Sequence, residues 1–145
     1  MRRRPRITLL APDEVLPHEK TDAGRVKALI RDILAAGAVI RPVIVDAETM
    51  LLVDGHHRLA ALKLLGARAI PAVIIDYPVD VEKVIIRRPE ALGLPRGQEP
   101  VFKGYDLIGL RRMISSLPDL LPPRTTYHIT WAKRVVRPYR VERLL

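Results

Sequence analysis

Cysteine and asparagine are absent from this chain of 145 residues, glutamine occurs once (Gln98), and aromatic side chains make up 4%. Without cysteine there is no disulfide, no zinc–thiolate site and no thiol nucleophile. With so few aromatics, a hydrophobic content of 48% has to build an aliphatic core. Depletion of the thermolabile side chains, with Arg, Ile, Leu, Val and Pro abundant, points to a thermophilic source. No run approaches the roughly 20 apolar residues of a membrane span. The start, Met-Arg-Arg-Arg-Pro, lacks the apolar stretch of a secretory signal, so a cytoplasmic location without membrane attachment is expected.

What is present is a length suited to one domain and a marked excess of positive charge. A chain of this size buries about two-thirds of its unfolded surface. The formal net charge is +9, which favours anionic partners in general. Arg2, Arg3, Arg4 and Arg6 sit at one end, and Lys133, Arg134, Arg137, Arg140 and Arg143 at the other. Such termini can bind a nucleic-acid backbone without reading its sequence, or they can be a solvated thermophile surface.

Residues 6–11 read as a strand, Pro12 and Asp13 as a turn, 14–17 as a short extended piece and 18–20 as a polar loop. Thr21 or Asp22 can cap a helix whose apolar positions Val26, Leu29, Ile30 and Ile33 keep helical spacing and which Gly37 stops. Residues 42–45 form a buried strand, 46–49 a turn, and 51–53 pair back as a hairpin. A second helix runs from about His56 to Leu65 and ends at Gly66. Residues 69–76 form another strand, in which Pro71 suits the first positions or an edge. Residues 81–86 are strand or helix, 89–100 a loop with three prolines and two glycines, 104–117 a helix, and 121–128 an extended segment. The tail from 134 to 141 is strand-like and closes in a short helical end.

The densest chemistry lies in Val53-Asp54-Gly55-His56-His57-Arg58-Leu59, where a glycine turn joins a strand to a helix. A helix start presents free backbone N–H groups and the positive end of its dipole, a ready anion site. His57 and Arg58 add side-chain donors, and a guanidinium can grip phosphate oxygens bidentately. Asp54 can hold Mg²⁺, which needs one or two carboxylates and keeps several waters. His56 and His57 are adjacent, so they point apart on a helix and are not a zinc pair. Two further clusters are Pro17-His18-Glu19, where Glu19 is either a solvated loop carboxylate or a general base, and Pro123-Arg124-Thr125-Thr126-Tyr127-His128. The latter is either an ordinary connection or a grip for a small polar ligand such as an amino acid. Phosphoryl transfer needs a phosphate cradle, a metal ligand and a base near an acceptor hydroxyl, and these clusters could supply all three.

The spacing Gly55-x-x-Arg58-x-x-Ala61, preceded by the strands at 42–45 and 51–54, resembles the ParB/sulfiredoxin fold over roughly residues 6–77. Leu-Pro-His-Glu, Val-Asp-Gly-His-His-Arg and Pro-Pro-Arg-Thr-Thr-Tyr-His, in this order, look like segments of the archaeal free L-serine kinases. The resemblance implies an α/β (α+β) domain with a mixed sheet, flanking helices and a nucleotide-binding turn at a helix N-terminus. It implies a nucleotide-binding core at 1–77 and an extension at 78–145 that completes the substrate site. The implied activity is phosphorylation of free L-serine to O-phospho-L-serine with ADP or ATP and Mg²⁺. Glu19 would be the base and Asp54 the metal-linked acid. Gly55, His56, His57 and Arg58 would bind phosphate, and Thr125, Thr126 and His128 the serine. Residues 78–120 are shorter than in those kinases, which leaves donor preference open, and Tyr127 stands where a basic residue that could neutralise the serine carboxylate is expected. Sulfiredoxin chemistry is excluded because His56 occupies the place of that family's cysteine. The alternative is a ParB-like regulator that binds CTP or DNA. Only one clear helix follows residue 78, however, whereas a helix-turn-helix reader needs two.

Overall fold

The computed structural model describes residues 6–17, 20–76, 83–86, 101–102, 125–128 and 134–145. The chain opens with strand β1 (Arg6–Leu10) and a 3-10 turn (Pro12–Glu14). Helix α1 (Ala23–Ala36) follows, then strand β2 (Ala38–Val39), strand β3 (Val43–Asp46) and strand β4 (Leu52–Asp54). Helix α2 (His56–Leu64) leads to strand β5 (Ile70–Ile75). Strands β6 (Lys83–Ile86), β7 (Val101–Phe102) and β8 (Thr125–His128) come next. Strand β9 (Tyr139–Arg140) and the short helix α3 (Val141–Leu144) end the described chain.

The main sheet is mixed, in the order β1-β5-β3-β4. β5 is antiparallel to β1 and parallel to β3, and β4 returns antiparallel to β3. All four residues of β3 are buried, as expected of an apolar run covered on both faces. Pro71 sits in an internal strand without cost to the ladder on one side, because pairing with β3 begins one residue later, at Ala72 opposite Val43. The expected strand at 69–76, the hairpin at 43–54 and the helix ending before Gly66 are all present. The segment expected to be extended from residue 14 begins instead inside the 3-10 turn, where the Glu14 carboxylate accepts the Ala11 N–H at 3.1 Å. Residues 81–86 resolve as strand at 83–86. The expected loop at 89–100 and helix at 104–117 lie outside the described residues.

Capping explains where α1 starts and stops. The Asp22 carboxylate accepts the Gly24 N–H at 3.1 Å, and Gly37, at φ +67°, takes the left-handed cap that side chains disfavour. Val26 and Ile33 are buried, and Leu29 and Ile30 pack partly against the same core. That core also contains Val43, Val45, Leu52, Leu59, Leu62, Ile70 and Ala72.

The tail is integral to this core. Tyr139, Val141 and Leu144 are buried in it, and β9 pairs with β2. The N–H groups of Arg68 and Ala69 donate to the Leu144 carbonyl at 2.7 and 3.2 Å. The guanidinium groups of Arg137 and Arg143 lie 5.3 and 5.6 Å from the centre of the Tyr139 ring. Part of the tail's positive charge is thereby tied to an aromatic face.

The turn between β3 and β4 depends on buried polar groups. Asp46 Oδ2 accepts both the Thr49 N–H at 2.9 Å and the Thr49 hydroxyl at 2.7 Å. The same hydroxyl oxygen accepts the Leu51 N–H at 3.2 Å. This network holds Met50 at φ +60°, an uncommon conformation for a residue other than glycine. Asp46→Ala leaves two buried donors without their acceptor and should cost about 2–4 kcal/mol, read by urea unfolding.

Candidate phosphate-binding site

The site is built where β4 gives way to α2. The strand delivers Asp54, half-buried, and Gly55 then turns the chain at φ +103°, ψ 30°. A side chain at this turn has no room: a Cβ on Gly55 would lie 2.8 Å from Val43 Cγ1 and 3.1 Å from Arg58 Nη1. The first intrahelical bond runs from the Leu59 N–H to the Gly55 carbonyl at 2.8 Å. Residues 56–58 are thus the first turn of the helix, whose N–H groups an α-helix does not bond internally. Gly55 offers no side-chain cap, and the positive end of the helix lies at this turn.

The side chains divide their roles. His56 is buried, 6% exposed, so its contribution to the turn is its main-chain N–H. The half-buried Arg58 is anchored, its Nη1 donating to the Pro42 carbonyl at 3.1 Å. Burial lowers the proton affinity of the guanidinium, Asp54 nearby raises it, and Arg41 lowers it again. It remains a cation all the same. His57 was expected to act as a donor, and here its Nε2 is an acceptor, taking the Asp22 N–H at 3.1 Å. The reason is tertiary: α1 begins beside α2, and the amide that precedes α1 needs a partner. Burial depresses the His57 pKa, Arg25 depresses it further, and Asp22 opposes both. The ring is therefore neutral at neutral pH, with its proton on Nδ1.

The other expected site residues fall in two groups. Thr125, Thr126 and His128 belong to β8, whose backbone comes within 8 Å (Cα–Cα) of β4, the strand that carries Asp54. His18 and Glu19 lie outside the described residues. Among the described residues no group of three or more metal-ligating side chains occurs. A single carboxylate, Asp54, suits Mg²⁺ that draws the rest of its shell from phosphate and water. Arg41 was not singled out from sequence. It directly precedes the Pro42 that Arg58 grips, and its exposed side chain adds a second positive charge to the site. The signal was available in an arginine placed at the mouth of the buried strand 43–46.

A mixed α/β sheet whose glycine turn joins a strand to a helix start beside an anchored arginine is an arrangement that suits an anion. The chain belongs to the ParB N-terminal domain family, whose model matches residues 4–87. It is 47% identical over 73 residues to an ATP-dependent L-serine kinase of Staphylothermus marinus, an alignment covering 48% of this chain and 29% of that protein. It is 41% identical over 118 residues to an ATP-dependent L-serine kinase of Desulfurococcus mucosus, covering 77% and 46%. The chain thus spans less than half the length of these relatives. Its fold matches a free serine kinase solved in complex with AMP, with a TM-score of 0.72 at 18% identity, over 96% of this chain and 93% of that one. Among the described residues no helix is long and apolar enough to cross a membrane.

Proposed function

We propose that the chain is a phosphotransferase acting on the hydroxyl of free L-serine, with ATP or ADP as donor. The observation that carries this reading is the turn at Gly55. The start of α2 and the anchored Arg58 lie beside the Asp54 carboxylate, an arrangement that suits a polyphosphate rather than a neutral ligand. The relatives' names supply serine, and they include both ATP-dependent and ADP-dependent kinases. Residues 1–77 form the nucleotide-binding core, and 78–145 complete the serine site through Thr125, Thr126 and His128. The setting is cytoplasmic.

Glu19 takes the proton from the serine hydroxyl. The hydroxyl oxygen attacks the terminal phosphorus, and the bond to the bridging oxygen breaks. The nucleotide leaves one phosphate shorter, with that oxygen carrying the charge. The N–H groups of residues 56–58 and the Arg58 guanidinium hold the phosphates as charge shifts between them. Mg²⁺ held through Asp54 would neutralise further phosphate charge.

The purified chain is assayed with L-serine and Mg²⁺, with ATP and ADP supplied separately, and O-phosphoserine is read by mass spectrometry. Product from one donor, reduced by about 100-fold or more in Glu19→Ala with nucleotide affinity kept, is the expected result. No product from either donor overturns the reading. The family match and the charge of +9 favour a ParB-like regulator as the second reading. CTP binding and salt-dependent DNA binding by the wild-type chain would then test it.

A further inference from the structure

We infer that the His57 side chain is a positioning strut between two helix starts, not a phosphate ligand. Its Nε2 takes the Asp22 amide at 3.1 Å and fixes the beginning of α1 against the beginning of α2. Asp22 caps α1, and its carboxylate is engaged by the Gly24 N–H. Its own N–H lies ahead of the helix and finds an acceptor 35 residues away in sequence. The consequence for turnover rests on the proposed kinase activity. Glu19, the proposed base, stands three residues before Asp22 in sequence. Fixing Asp22 against the glycine turn therefore tethers the chain close in sequence to that base.

Only an unprotonated nitrogen can accept the amide proton, so the strut needs the neutral ring. Among the described residues the charged groups facing His57 are Asp22 and Arg25, both on the α1 side. The positive ends of two helices add to Arg25, and Asp22 opposes them. An imidazolium would lose the amide bond and sit among like charges. The sign of the pH effect follows. The unfolded ring takes its proton at about 6.5, and the folded ring takes it at lower pH. The stability contributed by neutral His57 is present above that range and is lost as pH falls through it.

The test compares His57→Ala and His57→Gln with the wild-type chain. Glutamine places an oxygen acceptor near the Nε2 position and cannot be protonated. Three quantities are read: hydrogen exchange of the Asp22 amide by NMR, ATP affinity by titration calorimetry, and serine phosphorylation across pH 5.5–8. His57→Ala should speed Asp22 exchange by about tenfold or more, change the ATP Kd by less than about threefold, and lower kcat by about tenfold or more. His57→Gln should recover the slow exchange and most of kcat. It should also flatten the acid limb of the rate profile and of thermal stability below about pH 6.5. Unchanged Asp22 exchange in His57→Ala overturns the strut. Loss of ATP affinity by about tenfold or more in both variants also overturns it and makes His57 a phosphate ligand. A wild-type chain that binds ATP but forms no phosphoserine overturns the kinase reading alone, and exchange and affinity still decide the strut.

Discussion

Gly55→Ala should both destabilise the fold and disable the phosphate turn. The backbone there stands at φ +103°, and an added Cβ would lie 2.8 Å from Val43 Cγ1. Val43 is fully buried in a strand covered on both faces and cannot step aside. Forcing a side chain into a left-handed backbone costs about 1–2 kcal/mol, and overpacking a tight core about 1–3 kcal/mol. The sum, about 2–5 kcal/mol, should lower Tm by roughly 6–15 °C in a domain of this length. Relief of the clash would turn the N–H groups of residues 56–58 away from their common focus, so ATP affinity should fall by more than about tenfold. Gly66→Ala is the control, because Gly66 is also left-handed, at φ +80°, with nothing within 4 Å of an added Cβ. It should show the backbone cost alone, with ATP affinity intact. Equal Tm losses in the two variants would show that the contact with Val43 carries no weight.

Arg58→Ala should separate stability from binding. The guanidinium spans two tasks: Nη1 holds the Pro42 carbonyl at 3.1 Å, and the positive charge sits beside Asp54 and the helix start. Removing it leaves a buried carbonyl unpaired, for about 1–3 kcal/mol of stability. Phosphate binding loses one charge-assisted contact worth about 1.5–3 kcal/mol, which converts to roughly 10–150-fold in Kd. Arg58→Lys keeps a cation but has no second nitrogen to hold Pro42 while reaching a phosphate. It should recover less than half of the lost binding energy. Titration calorimetry with ATP at fixed salt reads the affinity, and urea unfolding reads the stability. An Arg58→Ala variant that binds ATP as tightly as the wild type would remove Arg58 from the site.

Much of the frame was legible in the residues because it is encoded locally. Asp22 and Gly37 mark the ends of α1 by a side-chain oxygen and a missing Cβ. Val26, Leu29, Ile30 and Ile33 mark its inner face by spacing. The buried strand at 43–46, the returning strand and the turn at Gly55 follow from an apolar run, a polar turn and a glycine at a strand-to-helix junction. The tail's strand and final helical turn were also readable, but their destination in the main core was not.

Local sequence therefore sets the elements of the described residues, their apolar faces and the place of the glycine turn. These depend on backbone preferences and on periods of 2 and 3.6 residues that a short window contains. Only long-range packing placed β5 between β1 and β3 and brought Tyr139, Val141 and Leu144 into the main core. Only it turned His56 inward, tied Arg58 to Pro42, and made His57 an acceptor for Asp22. Each of these is a choice of partner across 16 residues or more of chain. Such choices are settled as distant elements come together and their polar groups find mates, and no local window holds both members of the pair.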